Sequence, residues 1–447
     1  MKKNSKKKLT SGWGGFPSQM ANIIFPTDIN QILTEIKRSD VIARGNGRAY
    51  GDSAINKKNT ISMKNFNRIL SFDEKSAILT VESGVLLGDI IDTFIGRGWF
   101  PYVTPGSKYV TIGGLIAADV HGKNHHKDGS FRNFVEWIDL INSKGEIKRC
   151  SKNENSDLFE WTIGGMGLTG IIIRAAIKLR SIETCWIKQK TIITKNIDQT
   201  IDIFEKTMGS TYSVAWINST QNEKSIGQSL IMLGEHALIN DLKKKMKLNP
   251  LKLKNKKRKN IPFYFPNWFL TKIFVKLFNS VYYLFNRLSK RERLVYYDDY
   301  FYPLDNILGW NKIYGRKGFV QYQCVFPLDR SKEGLIELLK EVERSKASSF
   351  LTVLKRFGNQ ISNFSFPMEG YTIALDFPVN KNTFELLDNL DKITLKYKGR
   401  FYLAKDARMT KEVFKKSDTR IKEFIDFRNK NKCKENFMSS QSTRLEL

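Results

Sequence analysis

Glycine and other small residues crowd three stretches of the first 180 positions, and that crowding constrains the fold more than any other feature. The stretches are "RGNGRAYGD" (44–52), "VTPGSKYVTIGGLIAADVHGKNHHKDGSF" (103–131) and "FEWTIGGMGLTGIIIRAAIKL" (159–179). The first spaces its glycines as GxGxxxG, and "DSAINKKNTISM" behind it has no helical period. A dinucleotide site of the βαβ type needs GxGxxG opening a helix, so that reading fails. A glycine turn keeps another use. Successive backbone N–H groups with no Cβ in the way form a concave anion nest. Three such stretches imply a large flat ligand threaded through the domain on main-chain contacts.

Around them, residues 40 to 180 read as short strands. "VIARG", "AILTVES", "YVTIGG", "EWIDLINSKGEIKRC" and "TGIIIRAAIKL" are rich in β-branched residues and bounded by turn residues, and "NSKGE" signals a hairpin. One helix is predicted between Gly84 and Gly98, with Leu86, Ile90, Ile91, Phe94 and Ile95 on one face. From about residue 183 the strands turn aromatic ("TYSVAWINS", "GFVQYQCVFP", "YTIALDFPV") and alternate with helices "KEGLIELLKEVERS" and "NTFELLDNLDKITLKY". The last stretch predicts a glycine-led strand in "GRFYLAKDARMT" and one helix over "KEVFKKSDTRIKEFIDFRNK". The class is α+β. At 447 residues the chain divides into a domain over 1–182, a second over 183–399 and a final piece over 400–447.

Four scattered cysteines with no CxxC pair argue against a zinc site or a disulfide framework and for a reducing compartment. With four histidines and no acid cluster beside His125 and His126, no metal is expected. The N-terminus is basic but lacks the apolar run of a signal peptide, and no run approaches the ~20 residues of a membrane span. A cytoplasmic protein is expected. The net charge of +29 fits nucleic acid, an anionic membrane surface or anionic ligands. An insert over about 243–290 narrows this. It opens with a Lys/Arg run and continues as "NWFLTKIFVKLFNSVYYLFNRLSK". On a helical wheel Lys272, Lys276, Asn279, Ser280, Tyr283, Arg287 and Lys290 form one stripe. Phe269, Ile273, Phe274, Leu277, Phe278, Val281, Leu284, Phe285 and Leu288 fill the other face. Such a helix suits a bilayer surface; the alternative is a core-packing helix beside a basic loop.

Eight segments, "RGNGRAYGD", "TIGGLIAADVHGKNHH", "GGMGLTGIIIRA", "YSVAW", "FYPLD", "GFVQYQ", "SFP" and "YLAKDAR", occur in this order across nearly the whole chain. In these the chain resembles the flavoproteins that share an FAD domain with vanillyl-alcohol oxidases and aldonolactone oxidases. Within them it is most similar to enzymes acting on polyprenyl-phosphate-linked ribose. The resemblance implies a two-domain PCMH-type FAD-binding fold, a separate substrate domain on an antiparallel sheet, and a C-terminal return to the FAD domain. It implies that Gly45, Asn46, Gly47, Arg48, Ala49, Tyr50 and Gly51 cradle the FAD pyrophosphate. Gly106, Ser107, Thr111, Gly113, Gly114, Ala118, Val120, Gly122, Asn124, His125, Gly170, Ile172 and Tyr402 line the cofactor. Arg48 stands where relatives with tethered FAD often carry histidine, so non-covalent FAD is expected.

By the same resemblance Lys405 and His121 are catalytic, and Trp216, Tyr302, Gln321, Gln323 and Lys355 bind substrate. Read from the residues alone, Lys405 is a strand lysine paired with Asp406, and His121 a turn histidine satisfied by backbone. Gln321 and Gln323 alternate with Tyr322, so both amides face one side of a strand. Thr372 and Ala374 depart from the family, which carries Asn and Cys there. The implied activity is FAD-dependent oxidation of the 2'-hydroxyl of a polyprenyl-phosphate-linked ribofuranose, with a short-chain reductase completing an epimerisation. The implied place is the inner face of the cytoplasmic membrane, with contact through 243–290 and no nucleic-acid partner. The alternative is an FAD oxidase of a soluble sugar or aldonolactone, because a fold does not fix a substrate.

Overall fold

A computed structural model describes residues 5–218, 225–254, 258–266, 272–288, 290–345, 349 and 351–447, without the side chains at 272–274, 278, 287 and 288. Phe269 therefore lies outside the described residues. So do the side chains of Lys272, Ile273, Phe274, Phe278, Arg287 and Leu288.

Strands up to Ser181 build two sheets. A four-stranded sheet runs Ser5–Ser11, Ser18–Ile24, Thr60–Ser62, Ile42–Arg44, its last three strands parallel. Helix Ile29–Arg38 crosses over it, started by Asp28, whose carboxylate accepts from the Gln31 N–H. A six-stranded antiparallel sheet is centred on Ile171–Ser181, the run that "TGIIIRAAIKL" predicts. Helix Leu87–Phe94 buries Ile90, Ile91 and Phe94 against it, as their spacing requires. From Trp186 to Phe401 eight strands join one sheet, and the short strands Lys259–Asn260 and Ile307–Leu308 pair in parallel apart from it. One face of that sheet packs Cys324, Phe326, Leu354, Ile373 and Leu375 under helices Ser331–Arg344 and Lys381–Lys396. Alternation along each strand sends the intervening residues to the other face, where the glycine-rich turns lie.

Four expectations are corrected. "YVTIGG" is not a strand: Thr111 makes one isolated bridge to Leu86 and helix Ile112–Ala117 begins directly after it. The glycine-led C-terminal strand is only Arg400–Phe401; Tyr402 to Ala407 form a turn, so Lys405 is not on a strand. The single C-terminal helix is two, Lys411–Ser417 and Ile421–Lys430. Asp418 breaks it: its carboxylate accepts from the Arg420 N–H at 3.1 Å and pairs with Arg420 and Arg400 at 2.6 and 3.2 Å, which requires an extended backbone. Within helix Lys272–Leu288 the polar stripe is split. Asn279 is buried beside Val275, whereas Lys276 and Ser280 are exposed together with Leu277, Val281, Leu284 and Phe285.

Candidate active site

Strand Ile42–Arg44 delivers the chain into the 45–51 turn, where Gly47 takes φ +63°. The turn is held from both sides. Ala49 O accepts from the Trp13 N–H at 2.8 Å, and the Tyr50 N–H donates to Ala404 O at 2.9 Å. Asn46 donates its side-chain amide to Tyr109 O at 2.8 Å. Among the described residues the N–H groups of Asn46, Gly47, Arg48 and Ala49 donate to nothing in the protein. Four adjacent free donors on a bare turn fit a diphosphate. A Cβ on Gly51 would lie 2.1 Å from the Asp406 carbonyl. That neighbour is backbone and cannot swing aside. Gly51→Ala is expected to weaken FAD binding by about 5–150-fold, the equivalent of ~1–3 kcal/mol of overpacking. Gly96→Ala, at a position with nothing within 4 Å, is the neutral control; flavin-fluorescence titration reads both.

The second stretch wraps the same space. Gly106 has open room around it, while Gly113 backs onto Ser83 and Gly114 onto Thr111, just ahead of helix Ile112–Ala117. The 107–109 turn is anchored by Asp305, which accepts from the Lys108 N–H at 2.8 Å, and by the buried Lys108–Asp298 pair at 2.6 Å. Ala118 O accepts from the Tyr402 hydroxyl at 3.0 Å, and Tyr402 stacks on Phe366 at 4.6 Å. Val120 follows, and Gly122 lies against Thr104. Arg48 holds its guanidinium 3.9 Å above the Trp13 ring and 5.4 Å from Tyr109, its buried Nε without a partner in the protein.

Some of the expected lining residues spend their polar atoms on scaffold. Asn124 donates to Tyr102 O and to Asp128 at 2.8 and 2.7 Å. His125 Nδ1 accepts from the Gly358 N–H at 3.2 Å, so Nε2 carries the proton and donates to Gln360 at 2.9 Å. Burial lowers its pKa to about 4, and the imidazole latches the 358–360 segment. Gly170 and Ile172 pack on Ile141 and Leu140 at the start of the central strand. Tyr302 is fully buried, its hydroxyl against Thr104 Oγ1, where it supports the turn over 103–107.

The remaining residues converge on the sheet. Register sets Gln323 opposite Ala374, Thr372 opposite Lys355, and Val353 between Ala374 and Trp216. Gln321, Gln323, Thr372, Ala374, Asp376, Lys355 and Trp216 thus share one face. Gln321 donates to Asp376 at 2.5 Å and to the Tyr50 hydroxyl at 3.3 Å. Gln323 donates to His121 Nε2 at 3.1 Å. Lys405 places Nζ 3.9 Å from the centre of the Tyr50 ring. Its sequence neighbour Asp406 is not its partner: Asp406 pairs with Arg444 at 2.8 Å and accepts from Gln441 at 3.0 Å.

Burial dominates the electrostatics here. It lowers Lys355 to about 8 and Lys123 to about 7. It also pushes Lys405 down, against the pull of Asp376, and pushes the Asp376 carboxyl up. His121 falls well below the ordinary histidine range through burial, helped by Lys355, His125 and Lys405. Desolvated ammonium groups around one space attract anionic or electron-rich ligands. Asp376 and Lys123 are absent from the expectations. Strand alternation from Thr372 and Ala374 points at Asp376, and Lys123 sits beside Gly122 in the glycine-rich stretch.

An FAD binding domain family model matches residues 21–151. The chain is 34% identical to decaprenylphosphoryl-beta-D-ribose oxidase of Mycolicibacterium smegmatis over 98% of both chains. It is 31% identical to cytokinin dehydrogenase 3 of Arabidopsis thaliana over 37% of this chain and 33% of that protein. It is 32% identical to human delta(24)-sterol reductase over 26% and 23% respectively. The full-length match spans the eight-stranded sheet as well as the FAD binding domain. With a free-donor turn for a diphosphate and a lysine-rimmed sheet face beside it, the chain is an FAD-dependent oxidoreductase and belongs to the decaprenylphosphoryl-β-D-ribose oxidase family.

Proposed function

We propose that the protein oxidises the 2'-hydroxyl of a polyprenyl-phosphate-linked ribofuranose to the 2'-keto sugar, the first half of an epimerisation that a short-chain reductase partner completes. The observation that carries this reading is one sheet face bearing two amides and a lysine, with a helix of outward apolar side chains packed at its Trp216 edge. FAD, when bound, supplies the hydride acceptor. Arg48 cannot form a histidyl link, so we read the cofactor as non-covalent. Gln321 and Gln323, whose NH2 groups are engaged within the protein, offer their amide oxygens to sugar hydroxyls. Lys405 offsets negative charge on the reacting ring system. Lys355 is a cation of tunable charge for the substrate phosphate. Its ammonium is present below about pH 8 and is lost as pH rises through that value. The kcat/KM for a phosphate-bearing substrate is therefore expected to fall above pH 8. Lys355→Met is expected to lower kcat/KM and to remove the part of that limb that belongs to phosphate binding.

The insert supports a bilayer as the source of substrate. Val275, Asn279 and Tyr282 face the protein, with Tyr282 4.9 Å from Trp216. Leu277, Val281, Leu284 and Phe285 are each more than half exposed, as is Phe263 ahead of the helix. Lys243, Lys244, Lys245, Lys247, Lys252, Lys254, Arg258 and Lys259 are exposed in the preceding segment. Each contributes roughly 1 kcal/mol near an anionic surface. No helix among the described residues is long and apolar enough to cross a membrane. We place the protein on the inner face of the cytoplasmic membrane and read its charge as directed at lipid and phosphate rather than nucleic acid. Anaerobic flavin bleaching tests the substrate. Polyprenyl-phosphoryl ribose is expected to bleach the bound flavin, and bleaching by aldonolactones or free sugars alone overturns the reading. Acid precipitation is expected to release FAD into the supernatant.

A further inference from the structure

Thr372 stands beside the active-site histidine without touching it. Its hydroxyl donates to Cys324 O at 2.8 Å. A hydroxyl has one proton, so toward Gln323, 3.2 Å away, Thr372 offers only a lone pair. The Gln323 amide must then turn its NH2 to Thr372, whatever end the electron count of an amide leaves ambiguous. The second hydrogen of that NH2 meets His121 Nε2 at 3.1 Å. An Nε2 that accepts cannot carry a proton. We infer that Thr372 is a positioning residue that fixes the tautomer of His121, through Gln323, as the neutral Nδ1–H form.

The surroundings disfavour a charged ring. Phe357, Tyr402 and Phe366 surround it with centroids at 4.7, 5.2 and 5.7 Å. The titratable groups facing it are Lys355 from the neighbouring strand, Lys405 from the 402–407 turn and His125 from its own segment. All are cationic or neutral. Nδ1 is buried and has no partner in the protein. It follows that His121 enters the reaction as a hydrogen-bond donor through Nδ1 and not as the base that takes the hydroxyl proton. This refines the catalytic role given to His121 above and rests on that reading of the site, but its test needs no substrate.

The experiment is nitrogen-15 histidine NMR on the FAD-loaded protein between pH 5.5 and 8, with the His121 signal identified by loss in His121→Asn. The wild type is expected to show a neutral Nδ1–H imidazole that does not titrate. Thr372→Val removes the hydroxyl at constant shape and frees the amide to turn. His121 stays buried among the same cations and is then expected to remain neutral but to mix Nδ1–H and Nε2–H tautomers. Thr372→Ser is expected to restore the wild-type pattern. An Nε2–H tautomer in the wild type overturns the inference without any variant. A Thr372→Val spectrum identical to wild type, with flavin bound normally, also overturns it. Failure of polyprenyl-phosphoryl ribose to bleach the flavin touches the substrate alone and leaves this result standing.

Discussion

Lys405→Met is expected to lower the rate of flavin reduction by substrate about 10²–10³-fold, the typical cost of removing one preorganised charge or donor from a transition state. FAD binding is expected to persist, because the free N–H groups that fit a diphosphate are those of 46–49 and Lys405 is not among them. The same substitution is expected to leave the melting temperature unchanged or raise it. Nζ lies over the Tyr50 ring, and burial alone already depresses its basicity. A folded-state pKa below the unfolded value means the charged lysine destabilises the fold at neutral pH, and methionine removes that penalty. Stopped-flow reduction and a thermal melt on one preparation separate the two effects. A lysine held only for structure gives the opposite result, a lower melting temperature with an unchanged rate.

The double change Leu284→Glu, Phe285→Glu is expected to abolish co-sedimentation with anionic liposomes, a loss above 10²-fold in partitioning. Both side chains are more than half exposed. Transferring each from water into the bilayer interface is worth roughly 1.5–3 kcal/mol, and a carboxylate in its place reverses the sign. Turnover of a short-chain, water-soluble substrate is expected to survive, since both side chains are mostly turned to solvent. Single Lys→Ala changes over 243–259 are expected to weaken binding by only about 1 kcal/mol each and to do so less at high salt. Liposome binding that ignores the double variant but disappears with salt leaves the basic run as the sole contact and defeats the role given to the helix.

The amphipathic helix shows how far a pattern reaches. Its apolar and cationic residues were legible at 3.6-residue spacing, but the wheel does not say which side meets the protein. Val275 and Asn279 against the body, Tyr282 against Trp216, and Leu284 turned to solvent are consequences of packing. The apolar period of the C-terminal helix runs through Asp418, but Asp418 pairs with adjacent Arg420 and with Arg400 from beyond the segment, and the helix breaks there. Lys405 and Asp406 look like an ion pair in sequence, yet Arg444, from the last helix, takes the aspartate.

By itself the sequence determined the α+β class, several strands, the helices Leu87–Phe94, Ser331–Arg344 and Lys381–Lys396 and the family, because each rests on local period or collinear motifs. Only the tertiary structure decided which polar atoms are spent on scaffold and which remain for chemistry. His125 and Asn124 fall in the first group, Lys355 and Lys405 in the second. The reason is physical. Hydrogen-bond partners and desolvation come from residues up to hundreds of positions away, and a burial that lowers Lys355 to about 8 leaves no mark on its neighbours in the chain.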